Sequence, residues 1–309
     1  MRSPWSRIDA LPGDLDDPAW VGRAEAWMRG PAELIHCAAN LSFREADRPA
    51  VWQSNVDGTA AVLRALPRLP GVAAFNYVST AYVAGDRQGK ILEDEQDRPS
   101  NFNNPYEHSK WTAEGLVRDT CGASAVPWRI MRPSIVIGHS RTHRLSSQSG
   151  FYQVIDTLLR MGRQPERAAG PVLLPVTTGT TVDLIPVDVA VGEIMALIAA
   201  GSATENRAFH VVAADPLRLA QVLRELTPMS GVSIEVNGPG TPLSPMAKLV
   251  MHRLRHYMPY FAFARQFDRS GTQAALGASS YRIGIEQLRS FVQSYLVQHG
   301  HPRGLQAAA

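Results

Sequence analysis

Short apolar segments alternate with longer segments of helical periodicity between residues 33 and 131. The apolar segments at 33–39, 72–79 and 127–131 predict buried strands, because polar residues rarely interrupt them. The segments between them, at 49–66 and 106–118, predict helices. Strands that alternate with helices are typical of parallel βαβ units, whose helices cover both faces of a sheet. We therefore predict an α/β fold with a parallel sheet.

The pattern changes after about residue 138, where a polar segment at 139–149 predicts a loop. We expect the second half of the chain to supply the last strands of the sheet and a smaller substrate lid. Its predicted strands are 181–185 and 208–212, and its predicted helices are 187–200, 216–226, 245–262 and 285–298. The predicted parts are thus an incomplete sheet domain at 1–138 and a mixed region with the lid at 139–309. For 245–262 we favour a lid helix over one that lies on a membrane surface.

Composition excludes several classes of protein. Of the 309 residues, 45% are hydrophobic and 19% are charged, which is ordinary for a globular protein. Two cysteines, Cys37 and Cys121, are too few for a disulfide framework or a cysteine-rich zinc module. The chain opens without a signal-peptide pattern, and no apolar segment approaches the ~18 residues of a membrane span. These features predict a cytoplasmic protein without stable membrane insertion.

The distribution of charge and the spacing of histidines indicate which ligands and partners to expect. The first part of the chain is acidic and the second part is basic. A solvated surface explains this asymmetry, and a phosphorylated ligand or an acidic carrier protein is the alternative. No basic segment is interleaved with aromatic residues, so we expect no nucleic-acid partner. The pairs His139/His143 and His252/His256 lack an acidic companion, and we predict no metal site. The sequence does not indicate the oligomeric state.

The strongest chemical signal is Tyr106, followed four residues later by Lys110 in a predicted helix. This spacing places both side chains on one helical face. A cation one turn away favours the phenolate and lowers the tyrosine pKa, so that Tyr106 can exchange a proton with a substrate oxygen. Ser79 and Thr80 end a predicted strand and place hydroxyl groups at the carboxyl edge of the sheet, where ligands bind in open α/β folds.

Seven segments resemble, in order and spacing, the extended branch of the short-chain dehydrogenase/reductases. The closest similarity is to the group of fatty acyl-CoA reductases, male-sterility proteins and thioester-reductase domains. The matching segments are 13–18, 35–40, 55–59, 78–83, 106–110, 132–138 and 183–188. This resemblance implies a Rossmann-like, doubly wound parallel sheet with a C-terminal lid.

The resemblance also implies site residues. Tyr106 would donate the proton, while Lys110 would lower its pKa and bond the nicotinamide ribose. Thr80 would bond the substrate carbonyl, with the adjacent Ser79 as the alternative. The further cofactor contacts would be Asp14 and Leu15 at the adenine, Ala38 and Ala39 in the cleft, and Pro133 and Val136 at the nicotinamide.

Two polar residues near these segments are interpreted as structural. Asn55 is expected to hold the loops at the edge of the sheet, and His36 is expected to be a core histidine within its strand.

The activity implied by the resemblance is reduction of an acyl thioester to an aldehyde or alcohol. NADP is the expected cofactor, with NAD as the alternative, and the substrate is a small-molecule or carrier-bound acyl group. Two other functions stay open. One is a sugar-nucleotide epimerase or hydroxysteroid-type dehydrogenase of the same superfamily, and the other is a degenerate member without redox chemistry.

One part of the family pattern is not found in the sequence. It is the strand, Gly-x-x-Gly-x-x-Gly turn and helix that hold the cofactor pyrophosphate. A start codon assigned too late or a truncated gene is the favoured explanation, and a cofactor-free protein is the alternative. Because strands that normally intervene would be missing, we expect the strand at 34–38 to have an unpaired apolar edge.

The 309-residue chain is accordingly expected to bind NADPH very weakly or not at all. Hydrogen bonds to charged groups contribute roughly 1.5–3 kcal/mol each, and ~1.4 kcal/mol is a factor of ten in affinity. Loss of two or three such bonds to the pyrophosphate removes several factors of ten. Calorimetric titration with NADPH measures this, and micromolar or tighter binding would contradict the expectation.

Overall fold

The computed structural model describes residues 13–300, except 16, 18, 29, 70, 95, 146–149, 163–169, 178 and 278–280. The strands are β1 (Ala32–His36), β2 (Val72–Val78), β3 (Gly89–Ile91), β4 (Trp128–Pro133), β5 (Ile135–Ile137), β6 (Val172–Leu174), β7 (Thr181–Val182), β8 (Leu184–Pro186), β9 (Arg207–Val211), β10 (Leu217–Arg218), β11 (Ile234–Val236) and β12 (Arg265–Phe267). The α-helices are α1 (Ala19–Trp27), α2 (Arg48–Trp52), α3 (Gly58–Ala65), α4 (Pro105–Ala123), α5 (Gly150–Gly162), α6 (Val187–Ala199), α7 (Leu219–Ser230), α8 (Pro245–Arg253), α9 (Met258–Ala262), α10 (Ser270–Leu276) and α11 (Ile285–Gln298).

A four-stranded parallel sheet forms the centre of the first part, in the order β1-β2-β4-β9. One apolar cluster packs α3 and α4 against the sheet, with Phe75 and Ile130 fully buried. A second cluster packs α6 and α10 against it, with Met131 and Phe209 fully buried. The mostly apolar strands are therefore covered on both sides, and the predicted α/β fold is confirmed.

Within the described residues, β1 pairs only with β2. Ile35 in this strand is 41% exposed, although isoleucine is normally buried. The described part of the sheet thus ends in a strand with an open apolar edge, as expected.

The second part of the chain interleaves with the first. Strand β9 completes the main sheet, and α10 packs beside it. Helices α5, α7, α8, α9 and α11 surround a separate apolar core that includes Leu158, Leu223, Val250 and Phe291. Residues of this core line one cavity together with residues that follow β1, β2 and β4, and we call this part of the second half the lid.

Three predicted elements differ from the structure, and one helix was not predicted. The predicted strand at 181–185 is divided into β7 and β8, which pair with different strands. The predicted helix at 245–262 is wrong, because it is divided into α8 and α9. Pro259 lies in the first turn of α9, lacks an N–H and disfavours helical geometry in the residue before it. The predicted helix at 216–226 begins only at Leu219, since Leu217 and Arg218 pair with β7. Helix α5 was not predicted at all.

Candidate active site

A cavity of about 800 Å³ lies at the carboxyl ends of β1, β2 and β4, between the sheet and the lid. Cys37, Thr80 and Ser134 follow these strands and contribute to its wall. Ligands bind at this edge in open α/β sheets because loops and helix starts converge there.

Tyr106 reaches the cavity from the first turn of α4. Asn104 caps this helix, since its Oδ1 accepts a hydrogen bond from the backbone N–H of Glu107 at 2.9 Å. Pro105 occupies the first helical position, where no backbone N–H is needed. The cap fixes the start of the helix and therefore the position of the Tyr106 ring.

Thr80 lies near the tyrosine, since its hydroxyl group lowers the pKa of Tyr106, and both residues line the cavity. Thr80 Oγ1 also accepts a bond from the backbone N–H of Tyr82 at 3.3 Å. Ser79, the alternative to Thr80, is buried with its hydroxyl beside Glu114. The geometry thus makes Thr80 the partner of Tyr106.

Lys110 is buried one turn beyond Tyr106. Its Nζ donates to the carbonyl of Val78 at 2.6 Å and lies 4.1 Å from the centre of the Tyr77 ring. Burial lowers the pKa of Lys110 to about 7, because desolvation disfavours the charged form.

Burial also raises the pKa of Tyr106 to about 12, and the nearby Thr80 hydroxyl opposes this only in part. The sequence predicted that Lys110 lowers the pKa of Tyr106, and in this structure the pKa is raised instead. The physical reason is that desolvation of the phenolate outweighs the other effects. Tyr106 consequently keeps its proton at neutral pH, which is the state that a proton donor requires.

The expected cofactor contacts are only partly brought together. Ala39, Pro133 and Val136 line the same cavity as Tyr106 and Lys110. Ala38 is exposed beside β1 and is not part of this lining. Asp14 and Leu15 also lie outside it, Asp14 being exposed and Leu15 packing against the core under α3. Their roles at a bound adenine stay predictions.

Asn55 and His36 have the expected structural contacts. Asn55 accepts a bond from the backbone N–H of Asn40 at 2.7 Å and donates to the Ser109 hydroxyl at 2.8 Å. It therefore ties the loop after β1 to α4. His36 Nε2 lies 3.0 Å from Thr59 Oγ1, and burial lowers its pKa to about 4. The part of the chain that the structure describes contains no group of three or more potential metal ligands.

An aromatic cluster around Tyr106 was not foreseen. Phe43 stacks on Tyr106, with ring centres 5.9 Å apart, and on Tyr260 from α9 at 5.7 Å. The Tyr260 hydroxyl donates to Glu107 Oε1 at 2.5 Å and accepts from Asn104 Nδ2 at 2.8 Å. The lid is thereby joined to the first turn of α4. The rings of Phe43, Tyr106 and Tyr260 are more than 60 positions apart in the chain, so no local pattern indicated the cluster.

The cavity wall continues onto the lid and becomes apolar there. Residues on one face of α7 recur at the three- and four-residue spacing of a helix and face residues of α5. This apolar arm is formed by Phe151, Val154, Leu219, Val222, Leu223 and Leu226. It suits a hydrocarbon chain, because it offers few hydrogen-bonding groups.

Among the helices described in the structure, none has the length and apolar character needed to cross a membrane.

Two curated proteins are similar to parts of the chain. A glycine betaine reductase of Emericella nidulans is 27% identical over 230 residues, which are 71% of this chain. A carboxylic acid reductase of Segniliparus rugosus is 28% identical over 211 residues, or 63% of this chain. The aligned part is 17% of the length of each relative.

Two solved structures share the fold. The terminal R domain from the myxalamid PKS-NRPS biosynthetic pathway is 23% identical with a TM-score of 0.73, covering 94% of this chain and 75% of that domain. RMD from Pseudomonas aeruginosa, in complex with NADPH, is 19% identical with a TM-score of 0.63, covering 93% and 88%.

The family model described as male sterility protein, an NAD-binding family, matches residues 2–194, which is more than half of the chain. Its Rossmann-type fold agrees with the parallel sheet and the position of the cavity. The chain therefore belongs to the male sterility protein family.

Proposed function

We propose that the protein reduces an acyl thioester to an aldehyde or alcohol with NAD(P)H. The observation that carries this proposal is one cavity with two kinds of wall. Thr80, Tyr106 and Lys110 form its polar wall at the sheet, and the apolar arm between α5 and α7 forms the other. A substrate that joins a reducible carbonyl to a hydrocarbon chain matches both.

The polar wall fits the nicotinamide end of a cofactor. Ala39, Pro133 and Val136 present small or apolar surfaces beside the buried ammonium of Lys110. Such surfaces suit a flat ring, and the ammonium suits ribose hydroxyl groups. The bound cofactor would supply a hydride to the carbonyl carbon.

The residues of the chain would orient and protonate the carbonyl oxygen. Thr80 and Tyr106 orient it through their hydroxyl groups, and Tyr106 gives it a proton as the carbon is reduced. The tyrosinate that remains lies one helical turn from Lys110, whose positive charge stabilises it. The resulting hemithioacetal releases a thiol and leaves an aldehyde, and a second reduction gives an alcohol.

The apolar arm favours an acyl group over a sugar nucleotide. A sugar presents hydroxyl groups on every side, and a site that binds it needs polar partners for them. The arm consists of leucine, valine and phenylalanine side chains instead. The epimerase alternative is therefore less well supported.

Photoreactive acyl-CoA labelling tests this proposal without requiring turnover. We expect label in the segment at 139–157 and in the helices after residue 245, because Leu145, Val154 and Phe261 line the cavity. UDP-glucose should not compete with the labelling, whereas an unlabelled acyl-CoA should. Label confined to residues 20–70 would contradict the proposal.

A substitution of Leu226 tests whether the apolar arm binds the acyl chain. Leu226→Phe places a larger ring in the arm, where Leu226 is buried in the wall. We expect weaker binding of long-chain acyl-CoAs by about 10-fold or more, with short-chain acyl-CoAs little affected, since one methylene in such a pocket is worth ~1–3 kcal/mol. Calorimetric titration with acyl-CoAs of increasing length measures the change.

Leu288→Phe is the matched control. Leu288 is fully buried in the same lid core but does not line the cavity. It should lower the melting temperature without changing the preferred chain length. An unchanged preference in Leu226→Phe would place the acyl chain elsewhere.

A further inference from the structure

One side chain of the lid, Tyr260 on α9, contacts the surroundings of both hydroxyl groups in the candidate active site. Its ring centre lies 4.9 Å from that of Tyr82 in an edge-on contact and 5.7 Å from that of Phe43 in a stacked contact. Phe43 in turn stacks on Tyr106. The Tyr82 contact leads to Thr80, and the Phe43 contact leads to Tyr106.

On the Tyr106 side, the hydroxyl group of Tyr260 completes a network of buried hydrogen bonds. It donates to Glu107 Oε1 at 2.5 Å and accepts from Asn104 Nδ2 at 2.8 Å. Glu107 Oε2 accepts a bond from the backbone N–H of Asn103 at 2.9 Å. Asn104 and Glu107 are both buried, and they lie on either side of Tyr106 in the first turn of α4. The lid therefore fixes the turn that carries the proton donor.

On the Thr80 side, Tyr260 acts through Tyr82. The backbone N–H of Tyr82 donates to Thr80 Oγ1 at 3.3 Å, at the start of a short 3₁₀ helix after β2. The ring of Tyr82 packs against Tyr260, so the lid also supports the turn that presents the Thr80 hydroxyl group.

The segment that carries Tyr260 also belongs to the acyl side of the cavity. Phe261 follows it directly, is buried in the lid core and lines the cavity. The hydroxyl group of Tyr257, three residues before Tyr260, donates to Gln153 Oε1 on α5 at 2.5 Å. One short segment thus joins α5, which forms part of the apolar arm, to α4, which carries Tyr106.

We propose that Tyr260 is a positioning residue that sets the placement of the Tyr106 and Thr80 hydroxyl groups and joins it to the packing of the lid. This inference rests on the proposed function, in which both hydroxyl groups orient the carbonyl oxygen. Misplacement of a reacting group by ~1 Å can lower a rate by ~10²-fold. An acyl chain that packs against the lid therefore contributes to kcat as well as to binding.

Amide hydrogen exchange of the full chain tests the placement without cofactor, substrate or turnover. Tyr260→Phe removes the hydroxyl group and keeps the ring that packs against Phe43 and Tyr82. The amides of Asn103 and Glu107 should exchange ~3–10-fold faster than in the wild type, because two buried hydrogen bonds are lost. The later turns of α4 should exchange as in the wild type. Unchanged exchange in the first turn would overturn the inference.

Tyr257→Phe is the matched control. Tyr257 belongs to the same segment and its ring also packs beside Phe43, but its hydroxyl group bonds to α5 and not to α4. This variant should leave exchange in the first turn of α4 unchanged. An equal increase in both variants would show that any loosening of the lid has this effect, and the specific role of Tyr260 would be refuted.

Steady-state kinetics distinguishes a positioning residue from a merely structural one. With NADPH and acyl-CoAs of increasing length, Tyr260→Phe should lower kcat by ~10-fold or more and leave KM within about twofold of the wild type. The kcat of the wild type should rise with chain length, and that of the variant should not. A raised KM with an unchanged kcat would make Tyr260 a part of the binding surface instead and would overturn the inference.

The two measurements separate this inference from the proposed function. If the wild type reduces acyl-CoAs and Tyr260→Phe keeps its kcat, the proposed function stands and this inference fails. If the wild type reduces no acyl-CoA while exchange in the first turn of α4 still rises in Tyr260→Phe, the proposed function fails and the placement of Tyr106 by Tyr260 stands.

Discussion

Tyr106→Phe is expected to abolish most turnover while leaving the fold intact. The change removes one hydroxyl group and keeps the ring that stacks on Phe43. The proton donor for the carbonyl oxygen is lost, and a positioned donor contributes ~10²–10⁴-fold to the rate. NADPH oxidation with an acyl-CoA measures this, in the 309-residue chain and in the same chain extended at its N-terminus by a Gly-rich βαβ unit.

Tyr281→Phe provides the matched control, because Tyr281 is a half-buried tyrosine outside the cavity. It should keep nearly full activity. The melting temperature of Tyr106→Phe should stay close to that of the wild type. A Tyr106→Phe variant that retains most of the wild-type kcat would show that another group supplies the proton.

The sheet was predictable because the sequence patterns that indicate its strands and helices are local. Strands β2 and β4 are short apolar segments, and the helices beside them have clear starts, such as Asn104 before Pro105. Tyr106 and Lys110 were predicted to lie together because one helical turn separates them, and the structure places both in the cavity wall. Thr80 was found because parallel strands end at one edge.

The pKa of Tyr106 was not predictable in the same way. It depends on how much water the surrounding elements exclude, and Phe43 and the lid residue Tyr260 enclose the site from distant parts of the chain. The pKa of His256 has the same origin. Burial, Arg255 and Arg44 lower it together only because the lid folds onto the loop after β1.

The apolar arm was not predicted, for a different reason. Helix α5 follows a polar segment. Its apolar face could not be identified as a cavity wall from the sequence, because the opposite wall comes from α7 and forms only in the folded chain. The sequence therefore located the chemical centre of the cavity, whereas the lid that shapes its substrate side required the structure.

A buried ion pair fixes α4 to the sheet, and loss of this pair is expected to be the most destabilising single change. Glu114 is one turn beyond Lys110 on α4 and is fully buried. Its carboxylate accepts two bonds from Arg132 at the end of β4, at 2.9 and 2.7 Å, and one from Arg118 at 2.9 Å. The pair therefore sets how α4 presents Tyr106 and Lys110 to the cavity.

Glu114→Ala should lower the free energy of unfolding by ~3–5 kcal/mol, because it removes the carboxylate opposite a buried guanidinium. Glu286→Ala is the control. Glu286 also pairs with an arginine, Arg289, but it is exposed, and such pairs contribute ~0–1 kcal/mol. Urea denaturation measures both. If Glu114→Ala does not fold, Glu114→Gln keeps the shape and should lose a smaller part of the stability. A loss below about 1 kcal/mol in Glu114→Ala would show that the pair contributes little.

The pH dependence of this loss follows from the pKa of Glu114, which Arg132 and Arg118 hold at about 2 despite burial. A depressed carboxyl pKa stabilises the folded state above the unfolded pKa, and this contribution disappears as the pH falls through the folded pKa. The difference between the wild type and Glu114→Gln should therefore be constant above about pH 5 and shrink toward pH 2. If the difference in the free energy of unfolding instead grew on acidification, the variant would have lost an interaction other than the one made by this carboxylate charge. The position of α4 would then depend on the apolar contacts beneath it.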